Sequence, residues 1–256
     1  MKDGTMENRY GTLASWVYHL DKPIGRSFGD IEFYRDRLSD CKGPILEPAA
    51  GNGRVLIPLL EAGFDMRGFD ASADMVAHCR SACEARGLSS PLDIARFESF
   101  DYDTCFDAIV IPAGSFQLIT DPQHALSVLG RFRDALAPGG RLILDLDALS
   151  CLAETAPVAR HWQSGDDLLT LVERRASTCF QRQTTLSQLR YEHWRDDRLV
   201  ASELQLFHLR FWGVLEFELA LRTAGFTGIC VHGDYRAGTA LQADASVFTF
   251  EAHTPH

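Results

Sequence analysis

The residues best suited to act together lie in one run, Ile45-Leu46-Glu47-Pro48-Ala49-Ala50-Gly51-Asn52-Gly53-Arg54, where an apolar strand gives way to a glycine turn and then a helix. Small residues at 49–51 and 53 let a ligand approach the backbone, and the helix N-terminus offers unpaired N–H groups. A pyrophosphate-binding turn would read GxGxxG, but Leu56 stands where the third glycine belongs. Glu47 argues more strongly against a dinucleotide. A carboxylate beside the turn repels pyrophosphate and suits the ammonium group of an amino-acid moiety. Seventeen residues after Gly53, the next strand ends in Asp70. A carboxylate at that tip accepts both hydroxyls of an adenosine ribose, or else caps the following helix, a role Ser72 also offers. Glu47 and the glycine turn upstream favour the ribose.

Such residues need a scaffold that brings strand tips to one edge, and the hydrophobic pattern predicts one. Short apolar runs at 44–47, 66–70, 93–97, 107–112 and 141–146 alternate with helical stretches at 54–62, 72–86 and 122–136, the last closed by Pro138-Gly139-Gly140. A further helix is expected over 30–40. Alternating βα units predict a parallel sheet with helices on both faces. Beyond 158 the period shortens to that of strands, at 168–175, 184–194 and 199–211, the last two joined at Asp196-Asp197. This predicts an antiparallel insert over 158–211 after the fifth strand, lying as a lid over the sheet's ligand-binding edge. A helix at 213–224, ended by Gly225, leads to strands 226–233 and 246–252. Residues 1–30 read as an irregular arm carrying Tyr10, Trp16, Tyr18 and Phe28. These aromatics either close on the ligand cleft or cover apolar helix surface.

The segments ILEPAAGNG, GFDASADM, FDAIVIPAGSF and LAPGGRLILDL, spanning 45–147, together resemble the class I S-adenosylmethionine (SAM)-dependent methyltransferases, as do LRFW at 209–212 and AGF at 224–226. The resemblance implies a Rossmann-like α/β fold with a seven-stranded sheet in the order 3-2-1-4-5-7-6. It implies that Glu47 holds the methionine ammonium, that Ala49, Gly51 and Gly53 line the methionine, and that Asp70 with Ala71 takes the ribose. Met75, Phe97 and Ala113 complete the cofactor set, although Phe97 fits the core equally well. Two departures stand out. Ala49 occupies the place of the family's first glycine, and Arg96 falls where an acidic residue is expected, so that either Phe97 and backbone atoms hold the adenine or a nearby carboxylate such as Glu98 or Asp101 substitutes.

The stretch Leu13-Ala14-Ser15-Trp16-Val17-Tyr18, followed by Lys22, is similar to the arm of small-molecule N- and O-methyltransferases, glycine and amino-sugar enzymes among them. On that basis Tyr18 and His208 are the candidate catalytic residues. Tyr10, Trp16, Ser115, Phe116, Tyr191 and Arg210 are the candidate acceptor contacts. Arg210 either anchors an acidic acceptor or pairs with Glu216.

The formal net charge of −10, with no basic patch, opposes a phosphate backbone as partner. The EPAAGNG turn is also similar to that of adenine-N6 DNA methyltransferases, but those need an NPPY-like tetrapeptide after strand 4, and Pro112-Ala113-Gly114-Ser115 is none. No 18-residue apolar run or signal-type segment is present, so no membrane partner is expected. The seven cysteines form no CxxC pair and no zinc spacing, which points to a reducing cytoplasm and no metal. The expectation is therefore one cytoplasmic domain over 1–256, monomeric or homodimeric, that uses SAM, leaves S-adenosylhomocysteine (SAH), and methylates nitrogen or oxygen of a small molecule. The alternatives are a non-catalytic SAM-fold binding protein and another nucleotide-dependent Rossmann enzyme.

Overall fold

The computed structural model describes residues 10–239 and 241–255. Its centre is a sheet of β1 (Ile45–Pro48), β2 (Met66–Asp70), β3 (Leu92–Ile94), β4 (Phe106–Ile111), β5 (Leu136–Asp147), β10 (Thr227–Gly233) and β11 (Val247–His253). The order across it is β10-β11-β5-β4-β1-β2-β3. Pairs among β1 to β5 are parallel, while β11 runs antiparallel to both β5 and β10. This is the expected order 3-2-1-4-5-7-6. All four residues of β1 and nearly all of β4 are buried, as central parallel strands covered on both faces must be.

The helices follow their apolar stripes. In α5 (Pro122–Ala135), Ala125, Val128, Leu129 and Phe132 turn inward, Pro122 starts the helix, and the Asp121 carboxylate caps it by accepting the His124 N–H at 2.8 Å. In α4 (Ala73–Glu84), Met75, Val76, Cys79 and Cys83 face the sheet. One apolar layer, with Leu144, Phe217 and Phe250, lies on the side of α5 and α6 (Val214–Thr223). The other, with Ile45, Val110 and Ile143, lies on the side of α2 (Asp30–Arg37) and α3 (Leu56–Glu61).

Several expectations need correction. The arm is not irregular: Thr12–Asp21 form α1, burying Leu13, Ala14 and Val17 along one stripe. Gly11, Pro23 and Gly25 bracket so short a helix that breakers hide its period. β3 stops at Ile94, three residues early, because this edge strand has only β2 to pair with. The insert has four strands, not three: β6 (Val158–Ser164), β7 (Asp167–Cys179), β8 (Thr184–Arg195) and β9 (Arg198–Arg210). β6 is largely exposed, so its alternation carries little hydrophobic contrast. The β8–β9 turn does lie at Asp196-Asp197, with φ +51° and +57° at the two residues, as a tight hairpin requires. Leu169, Leu171, Leu189 and Tyr191 of this sheet pack directly on α1, so the insert covers the arm and the arm is the inner layer of the roof.

Candidate active site

At the carboxyl end of β1 the chain makes a turn in the left-handed region, with φ +54° at Ala49, +59° at Gly51 and +84° at Gly53. Ala49 thus keeps the backbone shape that glycine would hold more cheaply, at a cost of roughly 1–2 kcal/mol. The two glycines serve different ends. A Cβ on Gly53 would lie 2.6 Å from Cys79 Sγ, so that position is small in order to pack against α4. A Cβ on Gly51 would meet only the Tyr18 ring, at 3.9 Å, so Gly51 is the residue open to the cleft.

Asp70 is bound to this turn. Its Oδ2 accepts the Gly51 N–H at 2.9 Å and its Oδ1 accepts the Ser72 N–H at 2.8 Å. The capping alternative falls to Ser72, whose Oγ accepts the Met75 N–H at 3.3 Å and begins α4. Asp70 keeps lone pairs on a wall of the cleft, and burial raises its pKa against the pull of those backbone donors. Glu47 is more extreme. Only 2% of its surface is exposed, and its Oε2 has no hydrogen-bond partner. Burial, against the field of Arg54, pushes its pKa up to about 8. A buried carboxylate oxygen left without a donor fits an ammonium group arriving with a ligand.

Beside Asp70 opens a cavity of about 630 Å³ lined by Tyr10, Ala49, Asp70, Ala71, Phe97 and Glu98, among others. Phe97 serves both uses, lining this cavity while packing edge-on against Phe69 and Phe132 at 6.1 and 6.0 Å. Of the two carboxylates proposed to replace an acidic residue at Arg96, Glu98 is on the wall and Asp101 is not. Met75 is 2% exposed and is not on that wall.

The arm supplies the cover. Tyr10 stands edge-on to Tyr18 at 5.8 Å and to Phe207 at 6.4 Å, and Lys22 Nζ lies 5.1 Å over the Tyr18 ring. Trp16 faces His193 of the insert at 5.2 Å, and Tyr191 donates its hydroxyl to Gln205 at 3.1 Å, so both sit between α1 and the insert. The segment after α1 is tied to the glycine turn by side chains that sequence reasoning missed. Asn52 Nδ2 donates to the Lys22 carbonyl at 3.0 Å, and Arg54 donates to the Arg26 carbonyl at 2.8 Å and forms a buried ion pair with Asp30. The missed signal was a pair of polar residues inside a turn otherwise made of small ones.

Beyond β4, Ala113 also adopts positive φ, +56°, and its N–H donates to Asp145 Oδ2 at 3.1 Å. Asp145, likewise missed, is fully buried and also accepts from Thr249 and Tyr235 at 2.7 and 3.0 Å; burial lifts its pKa to about 6. Ser115 turns its hydroxyl back to the Pro112 carbonyl at 3.0 Å. Two acceptor contacts are corrected. Phe116 is fully buried against Trp212 and Phe217 and presents nothing to a ligand. Arg210 pairs with Glu216, donates to the Arg182 carbonyl and stacks on Trp212, which removes it as an acid anchor. His208 is half-buried on β9, opposite Leu186, and burial lowers its pKa.

Against this geometry the family comparison is direct: residues 45–140, from the first strand through the Pro-Gly-Gly turn, match the family described as a methyltransferase domain. Over that span the chain carries a methyltransferase domain. A putative methyltransferase of Bacillus subtilis is 23% identical over 185 residues, 72% of this chain and 74% of its own length. A glycine/sarcosine N-methyltransferase of Halorhodospira halochloris is 36% identical over 138 residues, 53% of this chain, which spans about half (51%) of that relative. Among solved structures, a SAM-bound amino pentose methyltransferase of Micromonospora echinaspora superposes with a TM-score of 0.70 at 18% identity, covering 97% of this chain and 99% of its own. Glu47, with its buried unpartnered oxygen, and Asp70, beside the glycine turn, fit the ammonium and the ribose of such a cofactor.

Asp70→Ala is expected to weaken SAH binding by about 1.5–3 kcal/mol, the worth of hydrogen bonds to a charged group. Titration calorimetry on the folded variant reads this directly, and unchanged affinity would remove Asp70 from the ribose site.

Proposed function

We propose that this methyltransferase transfers the methyl group of SAM to a nitrogen or oxygen of a small-molecule acceptor, in a cleft closed by α1 and backed by the four-stranded sheet. The observation that carries this reading is the cover itself. Helix α1 lies over Gly51, is tied to α4 by the Thr12–Asp74 hydrogen bond at 3.0 Å, and is backed by the insert. A roof so close to the glycine turn leaves room for a small acceptor and none for a duplex, and the net charge of −10 repels phosphate.

When bound, SAM supplies an electrophilic methyl on sulfonium. The protein's part is to align the acceptor lone pair opposite sulfur, roughly 3 Å from the carbon, and to exclude water. Tyr10 and Tyr18 offer ring faces and a hydroxyl to a cationic methyl. His208, whose pKa burial lowers, stays the proposed group to take a proton from the acceptor. Met75 and Gly53 support the cofactor wall from behind. We treat 1–256 as one domain, with 158–211 as its insert, working in the cytoplasm as a monomer or homodimer with no nucleic acid or membrane partner. Among the described residues no helix is long and apolar enough to cross a membrane.

Calorimetric titration with SAM, SAH and NAD tests the reading. SAM and SAH are expected to bind and NAD to fail, and SAH release is expected on addition of a small amine or hydroxyl acceptor. NAD binding in their place would overturn it.

A further inference from the structure

The carboxyl end of β5 carries two carboxylates two residues apart, and therefore on one face of the sheet. Asp145 is fully engaged, as described above. Asp147 is not. Its N–H donates to Gln117 Oε1 at 2.8 Å, but among the described residues no hydrogen bond or ion pair reaches its half-buried carboxylate. Its Oδ2 lies 3.3 Å from where a Cβ on Gly114 would sit, so the carboxylate lies close against the end of β4 and a side chain at 114 would crowd it. Gln117 aims at the same gap. Its Oε1 is 2.7 Å from that point, the side chain is fully buried, and its Nε2 has no hydrogen-bond partner.

Asp147 also lies on the side of the cofactor residues. Ile45 of β1 and Ile143 of β5 belong to the same apolar layer, so Glu47 and Asp147, each an even number of residues further on, share that face. Glu47 is level with Val110 of β4 and Ile143 of β5, so Asp147 lies two strand spacings across and four residues further along, about 16 Å away between backbones. Tyr18 and Lys22 bridge the interval from above: the Tyr18 ring meets Gly51, Lys22 lies over that ring, and the Lys22 charge acts on Asp147. A carboxylate fit for the methionine ammonium thus stands at one end of this face, and a second, without a hydrogen-bond partner among the described residues, stands at the other.

We propose that Asp147 anchors the acceptor by its cationic amino group, so that the site selects amines and transfers the methyl to nitrogen. The inference rests on the methyl-transfer reading above and adds the acceptor class. A neutral hydroxyl offsets little of the cost of a half-buried carboxylate, and an acidic acceptor is repelled by it, whereas an ammonium makes a charge-assisted bond. Before transfer the ammonium gives one proton to Asp147 or to solvent. Its lone pair then forms the N–C bond as the C–S bond breaks and the electron pair stays with sulfur, leaving SAH and a methylated ammonium.

The test uses glycine, sarcosine and 3-amino-3-deoxyglucose as amine probes, with glycolate and glucose as hydroxyl counterparts. Each is titrated into the SAH complex and assayed with SAM for SAH release. At least one amine is expected to bind and be methylated, with both hydroxyl probes silent. Asp147→Asn should raise KM for that amine at least tenfold, with a smaller change in kcat and SAH affinity within twofold of the parent. Asp147→Glu should recover part of the loss. Methylation of the hydroxyl probes alone, no amine bound to the SAH complex, or an unchanged amine KM in a variant that still binds SAH would overturn the proposal. Failure of the parent protein to bind SAH would overturn the underlying reading, and this inference with it.

Discussion

Glu47→Gln is expected to abolish measurable SAM binding while making the cofactor-free protein more stable above neutral pH. Both effects follow from one buried carboxyl whose pKa stands at about 8. Its folded-state pKa lies above the usual value near 4.5, so the group favours folding below that pH and loses its contribution as pH rises toward 8. Above this window the charge is held in a nearly dry site, and glutamine removes that cost, which is of the order of several kcal/mol. The stability gap between Glu47→Gln and the parent in urea unfolding should therefore widen from pH 5 to pH 8.5. SAM binding responds in the opposite sense. The ammonium needs the carboxylate, and leaving a buried charge without its partner costs about 3–5 kcal/mol, a loss of 100-fold or more. The parent should release close to one proton on binding SAM at pH 7, measurable in buffers of different ionisation enthalpy. No proton release, or equal SAM affinity in the glutamine variant, would place the ammonium elsewhere.

The parts of this site legible in the sequence are those where one residue type in one place has few other uses. A carboxylate at the end of an apolar strand, followed by a glycine turn, announced Glu47. The spacing to the next strand tip announced Asp70. The sheet was legible because its central strands are buried on both faces and its helices carry stripes with caps at Ser72 and Asp121. What escaped depends on contacts between segments far apart in the chain. Asp145 and Asp147 read as an ordinary LDLD strand end until Thr249, Tyr235 and Ala113 are brought to the first and, among the described residues, no donor to the carboxylate of the second. Arg210 offered two roles in the sequence, and only Glu216 on the next helix chooses between them. The arm escaped because α1 owes its stability to Leu169, Leu171 and Leu189, residues more than 140 positions away that no local period reports.

The arm's attachment sets the second large effect, at Arg54. This guanidinium and the Asp30 carboxylate are paired at 4% and 1% side-chain exposure, so neither charge can fall back on water. Asp30 in turn accepts the N–H groups of Phe28 and Ile31, both at 3.0 Å, and holds the start of α2. Arg54→Met should therefore cost about 3–5 kcal/mol of folding stability, because it leaves Asp30 buried and uncompensated. The pH dependence should change sign as well. In the parent, burial alone would raise the Asp30 pKa, but the hydrogen bond and charge of Arg54 bring it below its ordinary value. Its stabilisation is then present above pH about 4 and lost as pH falls through the folded-state value. Without Arg54 the burial effect dominates, the pKa rises, and the variant should lose stability as pH rises instead. Arg54→Met combined with Asp30→Asn should recover part of the loss, since no charge remains to be buried. Urea unfolding of the parent, single and double variants at pH 5 and pH 8 measures all of this. A single-variant loss under 1 kcal/mol at pH 8 would mean that the pair is hydrated and that Asn52 and the Gly25 N–H to Arg54 carbonyl bond suffice to hold the segment after α1 to the cofactor turn.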